Sequence, residues 1–360
     1  MKKLNKSRAI HSTAELAQKL GVSRWTVSRA LNGQKGVGAE TVKAVADAMR
    51  TSGFRPNSLA QGLRRGRTDH IGVCVPNLET FHLGPKIEVL RRELETHGFR
   101  VILGMSNDDA AEEARVLQDF AALRVAGIST FASRLSEHEW ARLTSDGTPG
   151  LRIDPLVGPE ASSLGVDRAY GMREATQHLL ALGHRHLILL GIDGKARYSR
   201  ARLRGVRLAL RLAKLPFEHA TLSVLVDKHL RAEPEQGYAA AGQVAQQLPK
   251  FRAVLVINDR MATGLIAGLC ELGLRVPEDI SVVGYDNMPL LAYAQPALTS
   301  VDPNADELMS RATALLLAKI RGEQTGAPER VRARLVVRHS TGPRLQESAK
   351  PSQLFSNDTK

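Results

Sequence analysis

Six residues, Ser23, Arg24, Trp25, Thr26, Ser28 and Arg29, crowd hydrogen-bond donors into seven consecutive positions of a 360-residue chain. An arginine can grip guanine O6 and N7 with two parallel bonds. A tryptophan face can meet a thymine methyl or lie against sugar and backbone, while serine, threonine and a further arginine hold phosphate oxygens. Such a set reads DNA only from a rigid rod that fits the major groove. The flanking residues supply the rod, because positions 12–33 read STAELAQKLGVSRWTVSRALNG. Ser12 and Glu15 have the spacing of a capping box, so a first helix is expected from Thr13. Ala14, Leu16, Ala17 and Leu20 form its apolar side, Gly21 permits the left-handed turn, and Val22 fills the angle. Ser23 caps a second helix that turns Val27, Ala30 and Leu31 inward and leaves Arg24, Trp25, Thr26, Ser28 and Arg29 outward. The expected unit is a helix-turn-helix. A helical hairpin with a solvated face, and a Trp25 buried in its core, are the structural alternatives.

Charge favours the nucleic-acid reading. Residues 1–70 carry 14 Lys and Arg against 4 Asp and Glu, whereas the other 290 carry 36 against 33. The pI near 10 is thus a local footprint for a polyanion, which suits counterion release from a phosphate backbone. No run of 18 apolar residues could span a bilayer, and no basic helix has the broad apolar face of a membrane-surface anchor. A third helix is expected from about Ala39 to Ser52, with Val42, Val45, Ala46 and Met49 inward.

From Ile71 the pattern changes to short apolar runs alternating with helical segments, which implies parallel sheets covered on both faces and room for two lobes. Open parallel sheets bind ligands beyond the carboxyl ends of their strands. Asp154 follows GLRI, Asn258 and Asp259 follow VLVI, and Asp286 follows VVGY. Asp259 also precedes a helix and reads as its cap. Tyr285 and Phe81 could offer a ring face to a sugar or pack in the core.

Taken in order, AELAQKLGVSRWTVSRALNG, GFRPNSLAQGLRRGRT, IGVCVP, HLLALGHRHLILLG, VLVIND and RVPEDISVVGYDNMPL make the chain closely similar to one family. It resembles the lactose-repressor and galactose-repressor family of bacterial transcription factors over residues 12 to about 342. The resemblance implies a headpiece at 12–56, a hinge at 57–67 and an effector-binding and dimerisation domain at 70–342, with a tail at 344–360 that reads as disordered. The first lobe would take about 70–165 and 295–322, and the second about 166–292 and 328–342. Asn57, Ala60 and Leu63 would be hinge contacts to DNA, with Leu63 pressed into the central base step from the minor groove. Gly62 departs from a good hinge helix, since glycine weakens a helix by roughly 1 kcal/mol. Arg202 in ARLRG joins Asp154, Asn258 and Asp286 as the implied effector-binding set. After the first strand, NLETFHLGP departs from the family pattern, and Phe131 and Pro303 make the first-lobe wall less polar. If Arg197 or Arg200 turns inward an acidic or phosphorylated sugar fits, and if both are solvated a neutral sugar is favoured.

Enzymatic signals are missing: there is no P-loop, nucleophile elbow or HExxH. His184 and His186 in GHRH sit in a helix-to-strand turn and read as structural rather than metal-binding. Cys74 and Cys270 read as buried thiols, and the basic N-terminus lacks the apolar core of a signal peptide, so a cytoplasmic location is expected. The expectation is an all-α headpiece joined by a hinge helix to a two-lobed α/β periplasmic-binding-protein-like domain. It would need no cofactor or metal. As a homodimer it would bind a palindromic double-stranded operator under control of a small sugar or sugar derivative. The rival is a ligand-independent DNA binder with a vestigial cleft.

Overall fold

The computed structural model describes residues 10, 12–31, 36–52, 67–78, 83–158, 163–224, 233–326 and 330–344. The hinge residues Asn57, Ala60 and Leu63, together with Phe81 and the tail beyond 344, lie outside them. The chain divides into two compact units, Met1–Asp69 and His70–Lys360.

In the first unit, α1 spans Thr13–Leu20, α2 Arg24–Leu31 and α3 Ala39–Ser52. Ser12 Oγ accepts from the Glu15 N–H at 3.1 Å, so a first-turn donor is satisfied. Gly21 closes α1 at φ 65°, a conformation that a Cβ disfavours, and Val22 donates back to the Ala17 carbonyl. Ser23 Oγ caps α2 by accepting from Thr26 N–H at 2.9 Å. Leu16, Ala17, Val27, Ala30, Val45 and Ala48 fill the core. Val42 and Ala46, expected inside, are exposed, and Ala48 takes the inner place. Val45 and Met49 belong to both possible stripes of α3, and a core this small has room for only one of them.

The second unit holds two large sheets and a two-stranded one. The first has the order β2-β1-β3-β4, from β1 (His70–Val75), β2 (Arg100–Met105), β3 (Gly127–Phe131) and β4 (Gly150–Ile153), all parallel. Its helices are α4 (Leu83–Thr96), α5 (Ala110–Ala122) and α6 (Glu137–Leu143). A short β5 (Gly165–Asp167) leads into α7 (Arg168–Ala181) and the second sheet. There β6 (Leu187–Leu190), α8 (Arg197–Leu212), α9 (Phe217–Ala220), β7 (Thr221–Val224), α10 (Glu233–Ala245), β8 (Ala253–Val256), α11 (Asp259–Glu271) and β9 (Ser281–Tyr285) follow in turn. The chain ends with β10 (Thr299–Asp302), α12 (Ala305–Ile320), β11 (Arg330–Arg332) and β12 (Arg334–Val336). The second sheet is ordered β12-β10-β9-β8-β6-β7, with only β12 antiparallel. LILL, AVLV and SVVGY are buried at every position, as strands covered on both faces require.

One boundary differs from expectation. Thr299–Asp302, allotted to the first lobe, pairs with β9 and β12 in the second sheet, and the chain leaves that lobe only after Asp302. The helix that follows does return: Lys319 Nζ of α12 donates to the Gly150 carbonyl at 3.0 Å. A strand-helix pair reads the same locally whichever sheet it joins. The three connections between lobes are therefore 154–167, 303–304 and 321–333, and the first and last pair as β5 and β11.

His184 bonds Ser281 Oγ and the Gly342 carbonyl, each at 3.1 Å, and His186 packs edge-on to Phe251, so both serve the second lobe's base. Cys74 is buried, and burial pushes its thiol up to about 12. Cys270, expected buried, is exposed, because it falls one position beyond Leu269 on the inner stripe of α11. Among the described residues no helix is long and apolar enough to cross a membrane.

Helices α10 and α11 meet at glycines. A Cβ on Gly264 would overlap the Pro234 carbonyl, whereas one on Gly242 meets nothing. Gly264→Ala is thus expected to destabilise the second unit by about 1–3 kcal/mol, and Gly242→Ala to stabilise it by about 0.5–1 kcal/mol, in urea unfolding.

Candidate DNA-reading face and effector site

Helix α2 turns its polar residues outward. Trp25 is 64% exposed, which removes the buried alternative for it, and Arg24 is exposed beside it. The Arg29 guanidinium lies 4.4 Å from the Trp25 ring centroid, a cation–π contact that pins the indole on one side of the helix. Thr26 and Ser28 are half-buried, and the Thr26 hydroxyl is engaged with Ser23 Oγ at 2.8 Å. Arg24 and Trp25 thus stand in the first turn, where a recognition helix meets base edges.

The second candidate site forms where strand ends and helix starts of the second unit converge. Asp154 follows β4 in the left-handed region, at φ 49°. Its carboxylate takes two bonds from Arg168, at 2.8 and 3.0 Å, and a third from the Val166 N–H at 3.0 Å. Burial alone would raise this carboxyl. The charge and donors of Arg168, aided by Lys86, outweigh it and hold the group at about 2. Arg168 lies 3.9 Å over the Tyr198 ring, and the Tyr198 hydroxyl donates to the Asp154 carbonyl.

Arg202 is buried on α8 with its guanidinium 4.0 Å from the Tyr285 ring centroid. Tyr285 is fully buried and covered by Arg202, so its ring is a core element rather than an open stacking face. Lys86, on α4, is buried and feels the charges of Asp154, Asp286, Arg168 and Arg202. Asp286 sits at the end of β9 at φ 106°. Arg197 Nη1 donates to the Gly158 carbonyl at 2.9 Å, and Arg200, exposed, donates to the Lys195 carbonyl. Lys86, Arg168 and Arg202 are buried, whereas Arg197 is half-buried and Arg200 exposed.

At α11 the expected roles exchange. Asn258 is the cap, its Oδ1 accepting from Met261 N–H at 2.9 Å. Asp259, read from sequence as a cap, is instead buried, accepting from Ser300 Oγ at 2.6 Å and Met288 N–H at 2.7 Å. Burial, then the charge of Asp286, push its carboxyl up to about 7. Asn258 thus stands at the rim with its oxygen engaged, while Asp154, Arg202 and Asp286 share one electrostatic neighbourhood.

Sequence reasoning missed Lys86, Arg168 and Tyr198, and two of them left signals. Lys86 falls on the buried stripe of Leu83, Ile87, Leu90 and Leu94, where a lysine is out of place. Arg168 opens α7, where the helix dipole favours an acid and opposes a cation. Tyr198 left none, because its bond is to a backbone carbonyl 44 residues away.

A three-helix unit with an outward polar second helix, followed by a two-lobed sheet domain with a polar cluster at its strand ends, defines the class of DNA-binding regulators of transcription. Residues 13–57 match the profile of bacterial regulatory proteins of the lacI family, and residues 176–341 that of a periplasmic binding protein-like domain. The HTH-type transcriptional repressor PurR of Edwardsiella ictaluri is 30% identical over 344 residues, 91% of this chain and 95% of the relative. PurR of Proteus mirabilis is 31% identical over 336 residues, with the same coverage. The lac repressor dimer bound to operator and the anti-inducer ONPF matches with TM-score 0.80 and 25% identity, over 93% of this chain and all of that one. The CelR–cellobiose complex matches with TM-score 0.65 and 27% identity, over 92% of this chain and all of that one. The chain belongs to the lacI family of bacterial regulatory proteins, DNA-binding regulators of transcription whose relatives here are repressors.

Two outcomes are expected from the ionic cluster. Arg168→Met leaves Asp154 buried and unpaired and is expected to lower stability by about 3–5 kcal/mol in urea unfolding, most of it recovered in Asp154→Leu/Arg168→Met. Asp259 is protonated in the folded chain at pH values where an unfolded aspartate is ionised, so its contribution to stability declines from about pH 4 to about pH 7 and is level above. Burial holds His178, His184 and His186 below the ordinary imidazole value, which gives the opposite slope near pH 6. The comparison is therefore with Asp259→Asn: on acidification from about pH 7.5 to about pH 5.5, the Tm difference is expected to move in favour of wild type.

Proposed function

We propose that this protein is a repressor that binds a palindromic operator as a homodimer and is controlled by a small metabolite held between the lobes of its second unit. The observation that carries the reading is the outward display of Arg24 and 64%-exposed Trp25 at the start of α2, on a headpiece whose core is complete without them. Ser23, Thr26, Ser28 and Arg29 then set register on the backbone, and Asn57, Ala60 and Leu63 form the minor-groove contact of the hinge. Asp154, Arg202, Asn258 and Asp286 belong to the effector site, with Arg168 and Tyr198 positioning Asp154.

Self-association has its own support. Leu103 and Met105 are exposed on β2, an edge strand of the first sheet. On the second lobe Leu290 and Tyr293 are 75% and 88% exposed near an apolar cavity of about 270 Å³ lined by Ile266, Ala267, Cys270, Leu291 and Pro296. Apolar surface of this kind on a soluble domain marks an interface, and the related lac repressor structure is a dimer. Effector and operator then act reciprocally: whatever factor the metabolite imposes on operator affinity, the operator imposes on the metabolite.

Duplex selection from a random pool is expected to return a palindrome. Arg24→Ala is expected to weaken binding to it by about 1–3 kcal/mol and relax one base position per half-site. Selected duplexes without symmetry, or an Arg24→Ala variant with unchanged specificity, would remove the reading. Tyr293→Asp with Leu290→Asp is expected to shift the protein to monomer in sedimentation and to weaken palindrome binding.

A further inference from the structure

Residues 195–214, helix α8 and its two ends, hold eight Lys and Arg and no Asp or Glu. Without them the residues from 71 onward carry 28 basic against 33 acidic side chains. The positive excess of the second unit is therefore confined to one helix.

Helical periodicity sorts these cations. Arg202 is buried, and the half-buried Arg197 donates to the Gly158 carbonyl. Arg200, Arg204, Arg207 and Arg211 are exposed. Their spacing of four, three and four residues sets them within about 60° of arc, in a stripe about 16 Å long. Lys195 and Lys214 are exposed at its two ends.

A stripe of this kind works against its own helix. Like charges one turn apart destabilise it, and Arg200 in the first turn meets the positive end of the helix dipole. Other helices of the unit avoid the conflict. Arg91 on α4 lies between Glu88 and Glu95 at 2.7 and 2.6 Å, Arg115 on α5 meets Glu112 at 2.5 Å, and Arg311 on α12 meets Glu307 at 2.6 Å. In α8 no residue three or four places from any of the four arginines is acidic. Arg207 approaches Glu218, past the end of the helix, only to 3.9 Å, and lies 3.8 Å from the Phe217 ring centroid.

The composition of the face also selects the class of partner. A protein interface is anchored on aromatic or apolar side chains at a centre poor in charge, and a helix on a membrane needs an apolar side to insert. The outer face of α8 has neither. Its apolar side is committed to the core through Val206, Ala209 and Leu210, and its exposed Leu212 stands about 100° round the helix from Arg211. A phosphate backbone asks only for a row of cations, and guanidinium forks suit phosphate oxygens.

We propose that α8 is a second DNA-binding surface, on which Arg200, Arg204, Arg207 and Arg211 hold the phosphate backbone of duplex DNA without regard to its sequence. A protomer then grips DNA at two places, one that reads bases and one that does not.

The test titrates the full chain with a long random-sequence duplex, followed by fluorescence anisotropy from about 50 to 200 mM salt. Arg204→Gln/Arg207→Gln/Arg211→Gln is compared with wild type and with a control that loses the same charge elsewhere on the unit, Arg115→Gln/Arg275→Gln/Arg321→Gln. The stripe variant is expected to bind about tenfold or more weakly at the low-salt end. Its plot of log affinity against log salt is expected to be shallower by about 2–3 per protomer, since each phosphate contact contributes about 0.9. The control is expected to follow wild type. Removing like-charge neighbours from an exposed helix face is expected to leave the stripe variant unfolding no lower than wild type, so lost binding is not lost folding. An unchanged slope, or an equal fall in the control, overturns the proposal. Stripe-dependent binding of poly-glutamate or of phosphatidylserine vesicles, with the DNA slope unchanged, also overturns it and assigns the face to an acidic protein or a membrane. Arg24→Ala is expected to keep the share of the slope that the stripe supplies, so base reading by the headpiece and backbone holding by α8 stand or fall separately.

Discussion

The paired bonds between Asp154 and Arg168 are the constraint on which the second unit turns. Asp154 ends the last strand of the first sheet, and Arg168 begins the first helix of the second lobe, so one buried ion pair joins the two where the chain first passes between them. The pair is locked on every side. Val166 donates to the carboxylate, Tyr198 holds the Asp154 carbonyl, and the Tyr198 ring lies against Arg168. Gly165 has no Cβ because the Asp154 carboxylate occupies that space. An isolated charge at this depth would be expelled or neutralised, so each partner exists only through the other.

The headpiece follows a different economy. Its core is a handful of small and medium side chains, and its turns rest on two serine caps and one left-handed glycine rather than on buried area. That leaves the whole outer face of α2 free to be chosen for recognition. The contact of Arg29 with Trp25 orders a large exposed ring without burying it.

Much of this was legible in the sequence, and the failures are local in cause. Helices α1 and α2 were readable from caps and apolar spacing, and the parallel sheets from runs such as LILL and AVLV, since both signals arise within a few residues. The membership of β10 was not, because hydrogen bonding to β9 is decided by tertiary packing and not by TSVD itself. At VLVIND two adjacent polar residues compete for one cap, and the winner, Asn258, is settled by Ser300 and Met288 drawing Asp259 inward. Of the site residues, Asp154, Arg202 and Asp286 announced themselves by following strands or by resemblance. Lys86 and Arg168 announced themselves only by breaking a rule of their helices, a signal as informative as a motif.

The ladder of β5 with β11 is only three residues long, yet it ties two of the three connections into a single ribbon, with Arg330 opposite Gly165 and Arg332 opposite Asp167. Separate strings would let two bodies swing, twist and slide. A short ribbon behaves as a leaf spring: it resists shear in its own plane, because sliding would break every rung together, and yields across its thin direction. The relative movement of the lobes is thereby channelled toward one opening coordinate, and a molecule wedged between them has one displacement through which to be felt.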